Sequence, residues 1–344
     1  RRQPQPTAVV SACWDYPHFA HTFVYQEMLS LLEAGMDLKL FYWEQSDEAV
    51  HGAFQKVDSS KQRLHSVDEY NRANKAHFQK TRPERMEALM KAISHELGWS
   101  IEDLGENDEF LCACTFARHA EQAGADYLHT YFFYDQSFMA LITAWLLDIP
   151  RGVSCYADHM MDDHQLKLVR LHMETADVVV ATSRRIKREL LDIAGDQFDS
   201  KIIVKPNGVD GRRFDPTAHV KFEHGRLEMV SISRIEQKKG LITLIDAIDV
   251  LKRNGRDVHV HVVGNEDIQH DGSSTYAERF RQRIRDLKLE DHFTLHGSMS
   301  QEEISDLLKS MHLFVAPYVE TETGDKDGIP TAMLEAMAAG LPVV

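Results

Sequence analysis

Short, β-branched apolar runs alternate with amphipathic helical segments along most of the chain, and this alternation limits the fold more than any other feature. In the first 215 residues the runs are "TAVVSAC" (7–13), "LKLFYW" (38–43), "DYLHTYFF" (126–133), "RGVSCY" (151–156), "DVVVAT" (177–182) and "KIIVKP" (201–206). Between them lie helical patterns such as "TFVYQEMLSLLEAG" (22–35), stopped by Gly35, a usual residue just past a helix end. Short continuous apolar strands separated by helices predict a parallel sheet covered on both faces. After a turn-rich stretch, "NGVDGRRFDPTAHVKFEHG" (207–225), the alternation restarts with "LEMVSIS", "VHVHVVG", "HFTLHG", "HLFVAP" and "LPVV", each but the last followed by a helix. The expected fold class is therefore α/β, with two doubly wound, Rossmann-like domains. A chain of 344 residues exceeds what one core usually holds, which agrees with two domains.

The expected domains are residues 1–215, with a charged helical insertion at about 45–125 that contains no strong strand, and residues 216–344. Ser300 with Glu303, and Thr275 with Glu278, have capping-box spacing. A net charge of −15 argues against sequence-independent nucleic-acid binding, which needs a basic face. It leaves room for a phosphate ligand, because a few local cations override the global sign. Cys13, Cys112, Cys114 and Cys155 form no CxxC pair, so neither a zinc knuckle nor a disulfide framework is expected. The 19 histidines are scattered, without an HExxH motif, and are read as solvated or packed imidazoles. No run approaches the roughly 18 apolar residues of a membrane span, and "RRQPQPTAVVSACW" lacks the apolar stretch of a signal peptide. A reducing, cytoplasmic setting follows.

Ligands of open parallel sheets bind outside the carboxyl ends of strands, near helix N-termini. In a two-domain chain the cleft between domains is the default site. The strand ends of the second domain carry candidate chemistry. "SRIEQKKG" places Arg234 and Lys239 in one loop before a helix, a site for a diphosphate, although a solvated basic loop explains the pair equally well. Gly264, in "VVGNED", lets a ligand approach the backbone. Met299, in "LHGSMS", suits a flat apolar ligand such as a nucleobase. In "GDKDGIPTAMLEAMAAGLPVV", Gly328 and Ile329 are expected to begin a helix with Pro330 in its first turn, and its N–H groups would cap an anion. Glu335 is expected about two turns in, either on a solvent edge or paired with a polar group such as ribose hydroxyls, since an unpaired buried carboxylate is costly.

The loop with Arg and Lys-Lys-Gly, the glycine after the next strand, and an acidic residue followed at a distance by Glu335 resemble the donor half of family 4 retaining glycosyltransferases with the GT-B fold. "DGIPTAMLEAMAAGLPVV" looks most like the branch that builds colanic acid and other exopolysaccharides. The likeness extends to "KIIVKPNGVDGRRFDP" and "YPHFAHTFVYQEMLSLLEAG", and covers the chain except about 45–125. It implies that Arg234 and Lys239 hold a donor diphosphate, Gly328 and Ile329 offer N–H groups to phosphate or sugar, Glu335 binds the ribose, and Asp327 faces the transferred sugar. It implies no required cofactor and no catalytic metal, because a cationic pair can stabilise a departing diphosphate. The chain departs from the family pattern at three places. Asp327 stands where Glu is usual, Ala20 and His21 replace a Ser-Glu pair, and Tyr156 aligns with a cleft histidine, with Asp158 and His159 close by. Tyr156 and His159 are the acceptor-side catalytic candidates.

The resemblance implies transfer of a sugar from a nucleotide-diphosphate donor to a glycan or lipid-linked hydroxyl acceptor with retention, in cell-envelope or exopolysaccharide synthesis. The alternatives are a non-catalytic sugar-nucleotide-binding protein on the same fold and, more weakly, a phosphorylase. The expected place is the cytoplasm, including the inner face of the membrane. "SRRIKREL" (183–190) is the candidate for membrane contact, though a solvated helix start explains it better. Because "LPVV" reads as an interior strand and such domains continue for further β/α units, a longer protein is expected.

Overall fold

The computed structural model describes residues 8–17, 22–46, 54–131, 135–155, 168–218, 220–265, 275–322, 327 and 329–344. They form two compact units, divided between Pro206 and Asn207. That is earlier than the 215/216 boundary expected from the turn-rich stretch, because the first half of the stretch packs on the second unit. Phe214 joins that unit's core, and the Arg213 carbonyl accepts a hydrogen bond from Ser305 Oγ at 3.2 Å.

The first unit is a seven-stranded parallel sheet. Its strands are β1 (Ala8–Tyr16), β2 (Asp37–Gln45), β3 (Lys61–Arg63), β4 (Tyr127–Tyr131), β5 (Arg151–Cys155), β6 (Val178–Ala181) and β7 (Ile202–Val204), in the order β3-β2-β1-β4-β5-β6-β7. The central strands are apolar on both faces because both faces are covered. Side chains of β2 alternate between two layers, as the pleat requires. Leu40 and Tyr42 pack with Val24, Tyr25 and Met28 of α1 (Thr22–Glu33) and with Phe54, which precedes α2 (Gln55–Asp58). Phe41 and Trp43 point the other way, into a larger cluster.

Much of that larger cluster comes from the helical insertion expected at about 45–125. Helices α3 (Asp68–Thr81), α4 (Pro83–Leu97), α5 (Ile101–Glu106) and α6 (Asp108–Gln122) supply Phe78, Leu89, Ile93, Leu104, Phe110 and Phe116 to it, all fully buried. They are a layer of the domain, not an appendage. Phe116 meets Phe41 edge-on, with centroids 5.7 Å apart. Polar groups in this layer pair with one another, as buried polar groups must. Asn74 Nδ2 donates to Thr115 Oγ1 at 3.1 Å, and Thr115 Oγ1 donates to Asn71 Oδ1 at 2.5 Å. The edge strand β3 has no apolar alternation, since all three of its side chains are exposed; its sequence therefore carries no strand signal. The remaining helices among the described residues of this unit are α7 (Asp135–Leu147), α8 (Val169–Thr175) and α9 (Arg184–Ala194). On α9, Arg185 pairs with Glu189, Lys187 with Asp199 and Arg188 with Asp192, so these cations already have carboxylate partners.

The second unit has four parallel strands, β8 (Leu227–Ile232), β9 (Val258–Val263), β10 (Phe293–Gly297) and β11 (Leu313–Phe314), ordered β10-β9-β8-β11. Helices α10 (Leu241–Arg253) and α11 (Tyr276–Asp286) bury Leu244, Ile245, Ile248 and Phe280 against one sheet face. On the other face, α12 (Gln301–Lys309) and α13 (Thr331–Ala338) bury Leu308 and Ala336 against Val230 and Phe314. Both capping boxes form, Thr275 with Glu278 and Ser300 with Glu303. "HLFVAP" pairs with β8 over Leu313–Phe314, and "LPVV" lies parallel on its other side, bridged at Phe314 and Val343. The Phe314 N–H donates to the Pro342 carbonyl at 2.9 Å, the Val344 N–H to the Phe314 carbonyl at 3.0 Å and the Ala316 N–H to the Val344 carbonyl at 2.7 Å. No helix among the described residues is long and apolar enough to cross a membrane.

If α6 is part of the core, Phe116→Ala should destabilise the first unit by ~3–5 kcal/mol. Urea unfolding followed by circular dichroism measures this; a loss of only a few tenths would make the helical layer peripheral.

Candidate functional site

The loops that leave β8, β9, β10 and β11 at their carboxyl ends carry the donor-side candidates. The chain leaves β8 through Ser233 and Arg234, makes a tight turn at Gln237–Lys239, and enters α10 at Gly240. Two glycines fix the course of this loop. Gly240 has φ +63°, and a Cβ on it would lie 1.8 Å from the Pro317 carbonyl oxygen. Gly264 has φ +138°, and a Cβ there would lie 2.1 Å from the Ser233 carbonyl oxygen and 3.3 Å from the Arg234 nitrogen. On its Cβ side Gly264 is thus approached closely by the chain itself, where the loop that carries Arg234 begins. The Val319 N–H donates to the Lys238 carbonyl at 2.9 Å, which stitches the β8 loop to the loop after β11.

This stitching brings Lys239 and Asp327 together across 88 residues of sequence. Lys239 Nζ donates to both Asp327 carboxylate oxygens at 2.7 Å. The two side chains are 12% and 18% exposed, so the pair is largely withdrawn from solvent. Lys239 also lies over the Tyr318 ring, 5.1 Å from its centroid. Burial, and then the Asp327 charge, push the Tyr318 phenol far above its ordinary range. Arg234 pairs with Glu236 at 3.0 Å, and Glu236 is 4.0 Å from Lys239. Each candidate phosphate-binding cation therefore has a carboxylate beside it, and an incoming diphosphate would have to replace carboxylate oxygens with phosphate oxygens.

The helix expected at Gly328 starts later. Pro330 is its cap residue, with φ −67° and ψ 131°, and α13 begins at Thr331. Proline disfavours helical geometry in the residue before it, so Ile329 lies outside the helix, where it forms a bend. Glu335 consequently sits just over one turn in, not two. It is 9% exposed, so it is not on a solvent edge. Gln301 Nε2 at the start of α12 donates to Glu335 Oε1 at 3.4 Å, and Arg213 donates to Gln301 Oε1. Burial pushes the Glu335 carboxyl up to about 7, and the nearby Arg213 charge only partly opposes this. Met299 packs beside the cluster that holds Ala336 and Phe314, which makes it part of the apolar floor under the same helix.

Arg234, Lys239 and Asp327 thus form one charged group, and Glu335 forms a second with Gln301 and Arg213. Tyr156, His159 and Gly328 lie outside the described residues, as do Asp158, Ala20 and His21. Sequence reasoning missed Arg213, Gln301 and Tyr318. Arg213 stands within the quoted "NGVDGRRFDP", but only the fold brings it to Gln301.

The folded pKa of Glu335 lies above its ordinary 4.5. Its protonated form therefore contributes stability that is complete below about 4.5 and is lost as pH rises through about 7. Glu335→Gln should leave ligand-free stability unchanged at about pH 4 and raise it by about 3 kcal/mol at about pH 8. Urea melts of the second unit's transition at both pH values measure this. An equal effect at both would mean that the carboxyl is not held protonated by burial.

Residues 216–344 match the family described as glycosyl transferases group 1. The chain is similar to the amylovoran biosynthesis glycosyltransferase AmsK of Erwinia amylovora, 23% identical over 96% of this chain and 80% of AmsK. It is 35% identical to the putative colanic acid biosynthesis glycosyltransferase WcaL of Escherichia coli, over 42% of this chain and 33% of WcaL. Among solved structures, a glycosyltransferase from Rickettsia africae matches with a TM-score of 0.64 at 14% identity, over 98% of this chain and 78% of that one. The second unit is a group 1 glycosyltransferase domain, and the chain has the GT-B glycosyltransferase fold.

Proposed function

We propose that this protein moves a sugar from a nucleotide-diphosphate donor to a hydroxyl acceptor with retention, in the synthesis of an exopolysaccharide or cell-envelope glycan. The observation that carries the reading is the convergence of Arg234, Lys239 and Asp327 at the strand ends of the second unit, beside the start of the helix that bears Glu335. The polysaccharide role is supported by the names of the similar proteins AmsK and WcaL.

In this reading Arg234 and Lys239 exchange their carboxylate partners for the donor diphosphate. Asp327, released from Lys239, faces the sugar, and Glu335 accepts hydrogen bonds from ribose hydroxyls. The bond between the anomeric carbon and the diphosphate oxygen breaks. The acceptor oxygen bonds to that carbon, and the acceptor proton leaves on the departing diphosphate. Two cations stabilise the charge that develops on the leaving group, so the reading needs no catalytic metal. The acceptor-side candidates Tyr156 and His159 belong to the same proposal.

Replacing Arg234 and Lys239 together by Ala should weaken nucleoside diphosphate binding strongly and nucleoside binding much less. Charge-assisted contacts of this kind contribute ~1.5–3 kcal/mol each. Calorimetry with both ligands measures the difference, and an equal loss for the two would remove the cations from the phosphate site.

Asp327→Ala should lower turnover more than nucleotide affinity, with release of nucleoside diphosphate from a panel of nucleotide sugars as the assay. Turnover unchanged with every accepted donor would end the sugar-facing role. Donor binding by the unaltered protein with no release or transfer would instead favour a non-catalytic sugar-nucleotide-binding protein.

A further inference from the structure

The second sheet places on one face a set of side chains that the donor site does not use. On β9, His259 and His261 are two residues apart, so both point to the same side of the strand. The register pairs Glu228 of β8 with His259, and Thr294 of β10 with His261. His296 follows Thr294 by two residues on β10 and stacks on the His261 ring, with centroids 5.1 Å apart. Three adjacent strands that are far apart in sequence thus gather one carboxylate and three imidazoles.

The side chains converge. One ligand atom each from Glu228, His259 and His261 lies within 4.8 Å of the other two. Glu228 Oε2 is 3.1 Å from His261 Nε2, a spacing that two ligands of one small cation can adopt with metal bonds of ~2.0–2.2 Å. The other ring nitrogen of His261, Nδ1, is 2.8 Å from His296 Nε2. A proton on Nδ1, donated to His296, leaves the Nε2 lone pair facing Glu228. His259 is held in the same way. Its Nε2 is 2.7 Å from Thr294 Oγ1, and a proton on Nε2, donated to that hydroxyl, leaves the Nδ1 lone pair for a cation. Metal-bound histidines are usually oriented by such a bond from the second ring nitrogen. The cluster already attracts a cation on that side: the Arg226 guanidinium contacts His259 Nδ1 and lies 3.5 Å from Glu228 Oε1. The Asp291 carbonyl oxygen, 3.1 Å from His259 Nδ1, adds to the negative potential there.

We propose that Glu228, His259 and His261 form a binding site for a divalent transition metal, with His296 orienting His261 and Arg226 as the internal cation that the metal displaces. Two imidazoles and one carboxylate suit zinc. Glu228 and His259 are the second residues of their strands, whereas the donor loops leave the strands' other ends. The site is therefore separate from the one that binds the nucleotide in the proposed function and does not rest on that reading. Its effect would be to tie β8 to β9, raising the melting temperature of the second unit.

The test is calorimetric titration of the full chain with Zn2+, alongside melts with and without the ion. One saturable site is expected, with a higher Tm when it is filled. His261→Asn and His259→Asn should each abolish this binding and the Tm rise. His296→Ala should weaken it by ~10–100-fold, as loss of an orienting partner does. Arg226→Ala should tighten it by removing the competing cation. Co2+ in place of Zn2+ gives a second readout, because its visible absorption reports the ligand set and should change in His261→Asn. Absence of saturable binding in both the unaltered chain and Arg226→Ala would overturn the proposal. So would unchanged Zn2+ affinity in the His259→Asn, His261→Asn double variant, which would assign the ion to other histidines.

Discussion

A parallel sheet cannot join neighbouring strands by tight turns. Each strand needs a crossover, and the loops that leave the carboxyl ends all emerge on one edge of the sheet. In the second unit this constraint brings Arg234, Glu236, Lys239 and Asp327 into one charged group. The order β10-β9-β8-β11 places β8 in the interior, between β9 and β11. The loop after β8 is consequently flanked by the loops after β9 and β11. Gly264 presses against Ser233 from one side and Gly240 against Pro317 from the other. Lys239 then has little choice but to meet the chain near Tyr318 and Asp327.

The Lys239–Asp327 pair keeps two enclosed charges matched to each other. An ammonium group in so enclosed a place would be costly without a counter-charge. Asp327 supplies that charge with both oxygens, and Glu236 Oε1 pairs with Arg234. In the proposed function a diphosphate would offer the same kind of oxygen ligand with more charge, so exchange would leave the cations paired throughout. Such exchange requires carboxylates that can be released, which suits Asp327 on a loop better than a group inside a helix.

The doubly wound fold is legible in the sequence because burial on both sheet faces leaves continuous apolar runs such as "DVVVAT" and "VHVHVVG". β3 is not, because an exposed edge strand of Lys61, Gln62 and Arg63 has no apolar pattern to read. The helical layer from α3 to α6 is visible as helix but not as core, since its charged outer faces dominate the composition while Phe78, Phe110 and Phe116 face inward. At the site, Arg234, Lys239, Asp327 and Glu335 are identifiable from local motifs. Their partners are not: Gln301 reaches Glu335 across 34 residues and Arg213 reaches Gln301 across 88. His259 and His261 are neighbours in "VHVHVVG", but the register of β8, β9 and β10 is what brings Glu228 and His296 to them.

Glu335 and Asp327 are both acidic residues close to one helix start, yet their surroundings give them different chemistry. Asp327 has a cation against both oxygens, whereas Glu335 has a neutral amide at 3.4 Å and a cation one residue removed. Hydrogen bonds and an opposite charge favour the ionised form of a carboxyl, and burial opposes it. Burial prevails at Glu335, which keeps it largely uncharged at pH values below about 7. A carboxyl in that state can donate as well as accept a hydrogen bond. Hydroxyl groups, which do both, are therefore better matched to Glu335 than a phosphate is, while the cations beside Asp327 are matched to phosphate. The different surroundings of the two carboxylates on one loop-and-helix element follow from where the chain buries each of them, and in the proposed function the hydroxyl and phosphate groups of a nucleotide sugar are matched to them.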